Sequence, residues 1–286
     1  NLMVKNYGLE FSSIQTQYFS AAGGCAERVP LFCKYDESGC ENKDSCMAQE
    51  MFSLKTIGLL GGMSTEATAE YYRLINDGVN RIKGGHNVAE ILLCSVNFQN
   101  IERFIRNSQW DEAAEYLAGK ARQLESGGAD ALFLATNTMH KVRESITAAV
   151  SIPFVDIIEI TAQAVKAAGL TRVGLLGTLP VMTDPFFQQA YEDLGIETVT
   201  PGEEDTQEVD RIIFDELCHH MVLTRSKHFY LDVIRTLQDG GAEGVILGCT
   251  EIKSLISQDD CPGFPVFDTT ILHCEAAVKR CLGEEG

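Results

Sequence analysis

Lys55-Thr56-Ile57-Gly58-Leu59-Leu60-Gly61 returns later in the chain as Thr171-Arg172-Val173-Gly174-Leu175-Leu176-Gly177. Each copy is a short apolar run closing on glycine, the pattern of a strand buried on both faces of a parallel sheet. A second repeat follows each of them. Gly128-Ala129-Asp130-Ala131-Leu132-Phe133-Leu134-Ala135-Thr136-Asn137-Thr138 corresponds to Gly241-Ala242-Glu243-Gly244-Val245-Ile246-Leu247-Gly248-Cys249-Thr250-Glu251. Gly58 and Thr136 are 78 residues apart, Gly174 and Cys249 75. Longer amphipathic segments separate these runs, as expected of βαβ units. The sequence therefore predicts an α/β protein of two similar lobes, each a mostly parallel sheet flanked by helices, related by internal duplication.

Outward from the first run, Gly61-Gly62-Met63-Ser64 ends the strand, and Ser64 is a fitting N-cap for a helix bearing Ala67, Tyr71, Leu74, Ile75 and Ile82 at helical spacing. Ile91 to Val96 reads as a second strand, and a helix from Trp110 closes at Gly127-Gly128. The first lobe is assigned to residues 55–160, completed by 265–286, and the second to 161–264. Residues 1–54 lack this periodicity and read as a flexible leader. Their Ser-containing, acid-poor opening is faintly that of a targeting segment for an organelle such as a plastid, but holds no arginine before Arg28. Met47 or Met51 would serve equally as the start of a cytoplasmic protein.

The 286 residues carry 23 Lys plus Arg against 41 Asp plus Glu, a formal charge of −18. With no basic cluster, such a chain lacks the counterion-release drive for nucleic acid and has no attraction to an anionic membrane surface. Its apolar runs fall short of the roughly 18 residues of a spanning helix. The ten cysteines form no Cys-x-x-Cys pair, which argues against a zinc site or a redox dithiol. His219, His220 and His228 read as surface residues, and no metal is expected.

Ligands of open α/β sheets bind beyond the carboxyl ends of the strands. The site should then lie in the cleft between the lobes, with Thr136 facing Cys249. Thr136-Asn137-Thr138 and Cys249-Thr250-Glu251 each offer first-turn amides and the positive end of a helix dipole, able to hold a carboxylate without a basic side chain. Gly61-Gly62-Met63-Ser64 is a third such nest and matches no nucleotide-binding fingerprint. A thiol at a helix start is favoured as thiolate; from an ordinary pKa of about 8.5, ionisation at neutral pH costs about 2 kcal/mol. Cys249 is thus a candidate base or nucleophile, or alternatively a buried thiol filling the end of a sheet.

Gly-Gly-Met-Ser-x-x-Ala-Thr at 61–68, Thr-Asn-Thr-Met-His at 136–140 and Leu-Gly-Cys-Thr-Glu at 247–251 together resemble the aspartate/glutamate racemase family, most of all its broad-specificity amino-acid branch. The resemblance runs from Lys55 to about Leu282. It implies a homodimeric enzyme without cofactor, in which one group removes the Cα proton of aspartate or glutamate and another returns one on the opposite face. The family usually has cysteine in both turns, whereas here the first position is Thr136. A free alkoxide would cost about 12 kcal/mol at neutral pH, so Thr136 acts only in concert with a relay through water, Asn137 or His140.

The remaining binding residues are assigned around this pair. Met63, Ser64, Asn137, Thr138, Thr250 and Glu251 come from the three turns. Ser95 and Asn97 stand at the end of the second strand, with Arg106 in the next loop as a clamp for the second carboxylate or as a solvated surface residue. Thr178 to Pro185 reads as a polar loop that covers the cleft or as an ordinary connection, and Thr269 and Thr270 as helix caps. A lyase or decarboxylase of the same superfamily, and a non-catalytic amino-acid binder, are the alternatives.

Overall fold

The computed structural model describes residues 54–284. Apart from Leu54, the segment read as a leader lies outside the described residues. Strands β1 (Ile57–Gly61), β2 (Ile91–Ser95), β3 (Ala131–Leu134) and β4 (Phe154–Val155) form one sheet in the order β2-β1-β3-β4. Strands β5 (Arg172–Gly177), β6 (Glu197–Val199), β7 (Val245–Gly248) and β8 (Val266–Asp268) repeat that order as β6-β5-β7-β8. Every pairing is parallel. Leu60 lies level with Leu134, and Gly177 with Gly248, so the two central strands of each sheet end together. The chain leaves these paired ends in opposite directions, which opens a crevice at each.

Alternation along β1 supplies both faces of the first lobe. Leu60 and Leu132 meet α2 (Phe98–Arg106) and α3 (Trp110–Ser126) through Ile101, Leu117 and Ala121. Ile57, Leu59 and Phe133 meet Tyr71, Ile75 and Val79 of α1 (Thr65–Lys83) on the other face. That apolar stripe stops at Val79, and Ile82, placed on it by spacing, is 63% exposed in the last turn. Ser64 caps α1, its hydroxyl accepting from the Ala67 amide. Residues 179–183, read as part of a loop, form the short helix α6 after α4 (Arg143–Ala148) and α5 (Ile157–Ala167), because Val181 and Met182 turn inward and are buried. Helices α7 (Pro185–Asp193), α8 (Glu203–Asp215) and α9 (Thr224–Asp239) complete the second lobe.

The chain crosses between lobes twice. Asp156 caps α5, accepting from the Ile158 amide at 2.7 Å, and α5 packs on Val173, Leu175 and Ile246 of the second lobe. Asp268 caps α10 (Thr269–Cys281), accepting from the Thr270 and Ile271 amides, and α10 returns to the first lobe against α1. Since β8 belongs to the second sheet, the return comes at Asp268 and not at residue 265. The cap is likewise Asp268, not Thr269 or Thr270.

Two fully buried imidazoles sit at the first crossover. His273 Nε2 donates to the Val155 carbonyl, which leaves Nδ1 to accept from the Tyr71 hydroxyl, both at 2.9 Å. Burial holds the His273 pKa down at about 3. A histidine depressed in the folded state contributes stability above its unfolded value of about 6.5 and loses it as pH falls toward the folded value. Unfolding free energy measured by urea titration should therefore drop by several kcal/mol between about pH 6.5 and 3, and His273→Gln should flatten that decline. Gly62 makes a second test: its φ is +89°, and an added Cβ would lie 2.3 Å from the Val96 carbonyl oxygen. Gly62→Ala should cost at least about 2 kcal/mol by the same measurement.

Candidate active site

Six segments converge on one cavity at the carboxyl ends of both sheets. The turn after β1 supplies Met63 and Ser64, the turn after β3 supplies Thr136 to Met139, and Thr178 follows β5. The turn after β7 supplies Gly248 to Glu251, while Phe98, Ile101 and Ile105 of α2 and Ile213 and Phe214 of α8 form an apolar wall. Thr136 and Cys249 thus line the same space, with Met63, Ser64, Asn137, Thr138, Thr250 and Glu251 around them.

Glu251 organises the Cys249 side. Its Oε1 accepts from Ser64 Oγ of the other lobe at 2.9 Å, and its Oε2 accepts from Thr250 Oγ1 at 2.5 Å and from Cys249 Sγ at 3.1 Å. Ser64 Oγ is itself fixed by the Ala67 amide at 3.1 Å. Burial raises the Cys249 pKa well above its ordinary value, and the Glu251 charge and its acceptance of the S–H push the same way, while the Glu251 amide pulls against them. The resting sulfur is therefore a protonated thiol and not the dipole-favoured thiolate expected from the sequence. The physical reason is local: Cys249 is followed by a three-residue 3-10 turn, Ile252–Ser254, too short to carry a substantial helix dipole.

The Thr136 side is held by its main chain. His140 Nδ1 lies 2.7 Å from the Thr136 carbonyl and its Nε2 accepts the Ile157 amide at 3.3 Å, so the proton resides on Nδ1. Both ring nitrogens are thus engaged by backbone, and His140 pins the turn instead of relaying protons from the Thr136 hydroxyl. Asn137 Nδ2 donates to Thr269 Oγ1 at 3.0 Å, and Thr269 Oγ1 donates to the Leu247 carbonyl at 2.9 Å. Thr138 Oγ1 and Thr178 Oγ1 meet across the cleft at 3.1 Å.

Three residues expected at the site lie elsewhere. Ser95 is exposed at the end of β2, and Asn97 is exposed as the N-cap of α2, its side chain accepting from the Gln99 amide at 3.1 Å. Arg106 is the last residue of α2 and not part of a loop; its side chain is 76% exposed and pairs with Glu102 one turn back at 2.6 Å. The apolar wall went unread, and Thr178 was read only as the start of a loop and not as a lining residue. Thr178 was recoverable from the repeat, since Gly177 aligns with Gly61 and Thr178 therefore with Gly62 of the first nest.

Residues 60–277 match the family model of the Asp/Glu/Hydantoin racemases. A putative Asp/Glu racemase from Yersinia pestis is 41% identical, superposes with a TM-score of 0.76, and the alignment covers 80% of this chain and 100% of that one. An aspartate racemase homologue from Pyrococcus horikoshii OT3 is 33% identical with a TM-score of 0.69, covering 79% and 98%. The broad specificity amino-acid racemase RacX of Bacillus subtilis (strain 168) is 24% identical over 233 residues, 79% of this chain and 98% of RacX.

The Cys249–Glu251 contact makes a prediction that separates reactivity from catalysis. Glu251→Gln removes the charge that raises the thiol pKa, so alkylation of Cys249 by iodoacetamide at pH 8 should accelerate, on the order of ten-fold for one pKa unit. Mass spectrometry of the modified peptide at timed intervals reads the rate; unchanged or slower labelling would contradict the assignment.

Proposed function

The chain belongs to the Asp/Glu/Hydantoin racemase family, and from that footing we propose that it interconverts the enantiomers of an acidic amino acid, aspartate or glutamate, by proton removal and return at Cα. The observation that carries this reading is the presence of Cys249, its carboxylate partner and Thr136 around one cavity. Cys249 passes its proton to Glu251 Oε2 along the existing hydrogen bond, and the thiolate, held by the Glu251 amide, takes the Cα hydrogen. This internal transfer leaves the net charge of the pair unchanged, which limits its cost in the buried cleft. The ammonium of a bound substrate lowers that cost further by Coulomb attraction to the thiolate. Thr136 delivers a proton to the opposite face from its hydroxyl, in concert with reprotonation by solvent, and Glu251 releases its proton to solvent to reset the pair.

Enantiomers have equal free energies, so kcat/KM is equal in both directions whatever the residues are. The unlike pair, a thiol and a hydroxyl, shows instead in kcat and KM taken separately. The six cysteines of the described residues are all free thiols, which fits a reducing compartment; we take this to be the cytoplasm. Tyr72 and Ile82 on α1 and Leu93 on the edge strand β2 are exposed apolar side chains suited to pairing as a homodimer.

Incubation of L- and D-aspartate and glutamate with the protein in deuterated water, followed by chiral chromatography and mass spectrometry, tests the reading. Both enantiomers should appear with deuterium at Cα, and the enantiomer facing Cys249, expected to be L, should exchange faster than it inverts. Thr136→Ala should retain that exchange while losing inversion, and Cys249→Ser should lower both by at least about a hundred-fold. A new unsaturated or decarboxylated product would favour the lyase reading. Calorimetric binding of aspartate with no label would favour a binder.

A further inference from the structure

The duplication predicts like residues at like positions, and a buried position besides the Thr136/Cys249 pair departs from it. An aspartate that caps the crossing helix follows β4 as Asp156 and ends β8 as Asp268, and the next residue is Ile157 in one half and Thr269 in the other. Thr269 is fully buried, so its hydroxyl must find partners within the protein. It finds one in the turn after β3 and one near the end of β7, the strand that leads into Cys249. Its oxygen accepts from Asn137, the residue after Thr136, and its proton goes to the carbonyl of Leu247, two residues before Cys249. Asn137 and Leu247 are buried as well, so water does not compete for either bond.

We infer that Thr269 is a positioning residue, a strut that fixes the separation of the Thr136 turn from the Cys249 turn and thereby lets a carbanion formed on one face be protonated on the other. This rests on the two-face racemase reading. Thr269 does not touch the cavity, and it acts through Asn137 and Leu247. The consequence is specific. Without the strut, Cys249 still meets the Cα hydrogen, but Thr136 no longer stands at its fixed distance opposite. The carbanion is then reprotonated from the sulfur side, giving exchange without inversion.

The test compares Thr269→Ser with Thr269→Ala, which differ only in the hydroxyl. The measured quantity is the ratio of Cα deuterium exchange to inversion for the enantiomer facing Cys249, with KM recorded for both variants. Thr269→Ser should keep the ratio of the unaltered protein, and Thr269→Ala should raise it on the order of ten-fold at little-changed KM. A variant that merely unfolds in part loses active molecules, which scales exchange and inversion together and leaves the ratio unmoved. If Thr269→Ala is too unstable to assay at 25 °C, Thr269→Val, which keeps the shape without the hydroxyl, gives the same comparison. Equal ratios in the hydroxyl-bearing and hydroxyl-free variants would overturn the strut. Failure of the unaltered protein to label any enantiomer would instead sink the racemase reading on which it rests.

Discussion

A thiol hydrogen-bonded to a carboxylate at the edge of the cleft is the constraint around which the rest of the site is arranged. Cys249 and Glu251 stand 3.1 Å apart, and burial keeps the proton on sulfur. A free thiolate there would be expensive, and a thiol alone would be inert. The pair avoids both limits because moving the proton to Glu251 creates no net charge in the low-dielectric interior. Ser64 and Thr250 hydrogen-bond the carboxylate and fix its oxygens, so the first lobe takes part in holding the base of the second.

Keeping both halves in register falls to the two crossovers. Each leaves a sheet, is capped by an aspartate, and passes its helix to the opposite lobe. Beneath the first, His140 ties the Thr136 carbonyl to the Ile157 amide. At the position matching His140 in the repeat, Lys253 reaches across to Glu70 of α1 at 2.5 Å. The duplicated scaffold therefore carries unlike struts at equivalent places, as it carries unlike groups, Thr136 and Cys249, at the equivalent strand ends. A two-faced reaction on one carbon needs this arrangement: similar geometry on both sides, with different chemistry.

The strand runs and the duplication were legible because buried parallel strands are short, continuous and apolar, and because two copies stand within one chain. The three turns followed from strand ends, which bring Ser64, Thr136 and Cys249 together without knowledge of the loops. What the sequence hides is orientation. Spacing alone does not decide whether Arg106 spends its fork on a ligand or, as it does, on Glu102 one helical turn back. Nor does spacing reveal that the turn after Cys249 is a short 3-10 helix, so the thiolate expected from a dipole gives way to a thiol governed by burial and by Glu251. Thr269 looked like a cap because it begins a helix; only the long-range contacts to Asn137 and Leu247 give it another role.

The central claim is that one carbon atom sits between a sulfur and a hydroxyl. A crystal structure of the protein with aspartate bound tests it most directly. The account predicts Cα in the cavity with Cys249 Sγ and Thr136 Oγ1 on opposite faces, each within about 4 Å. Aspartate bound with both groups on one face, or with its Cα out of reach of the sulfur, would contradict it.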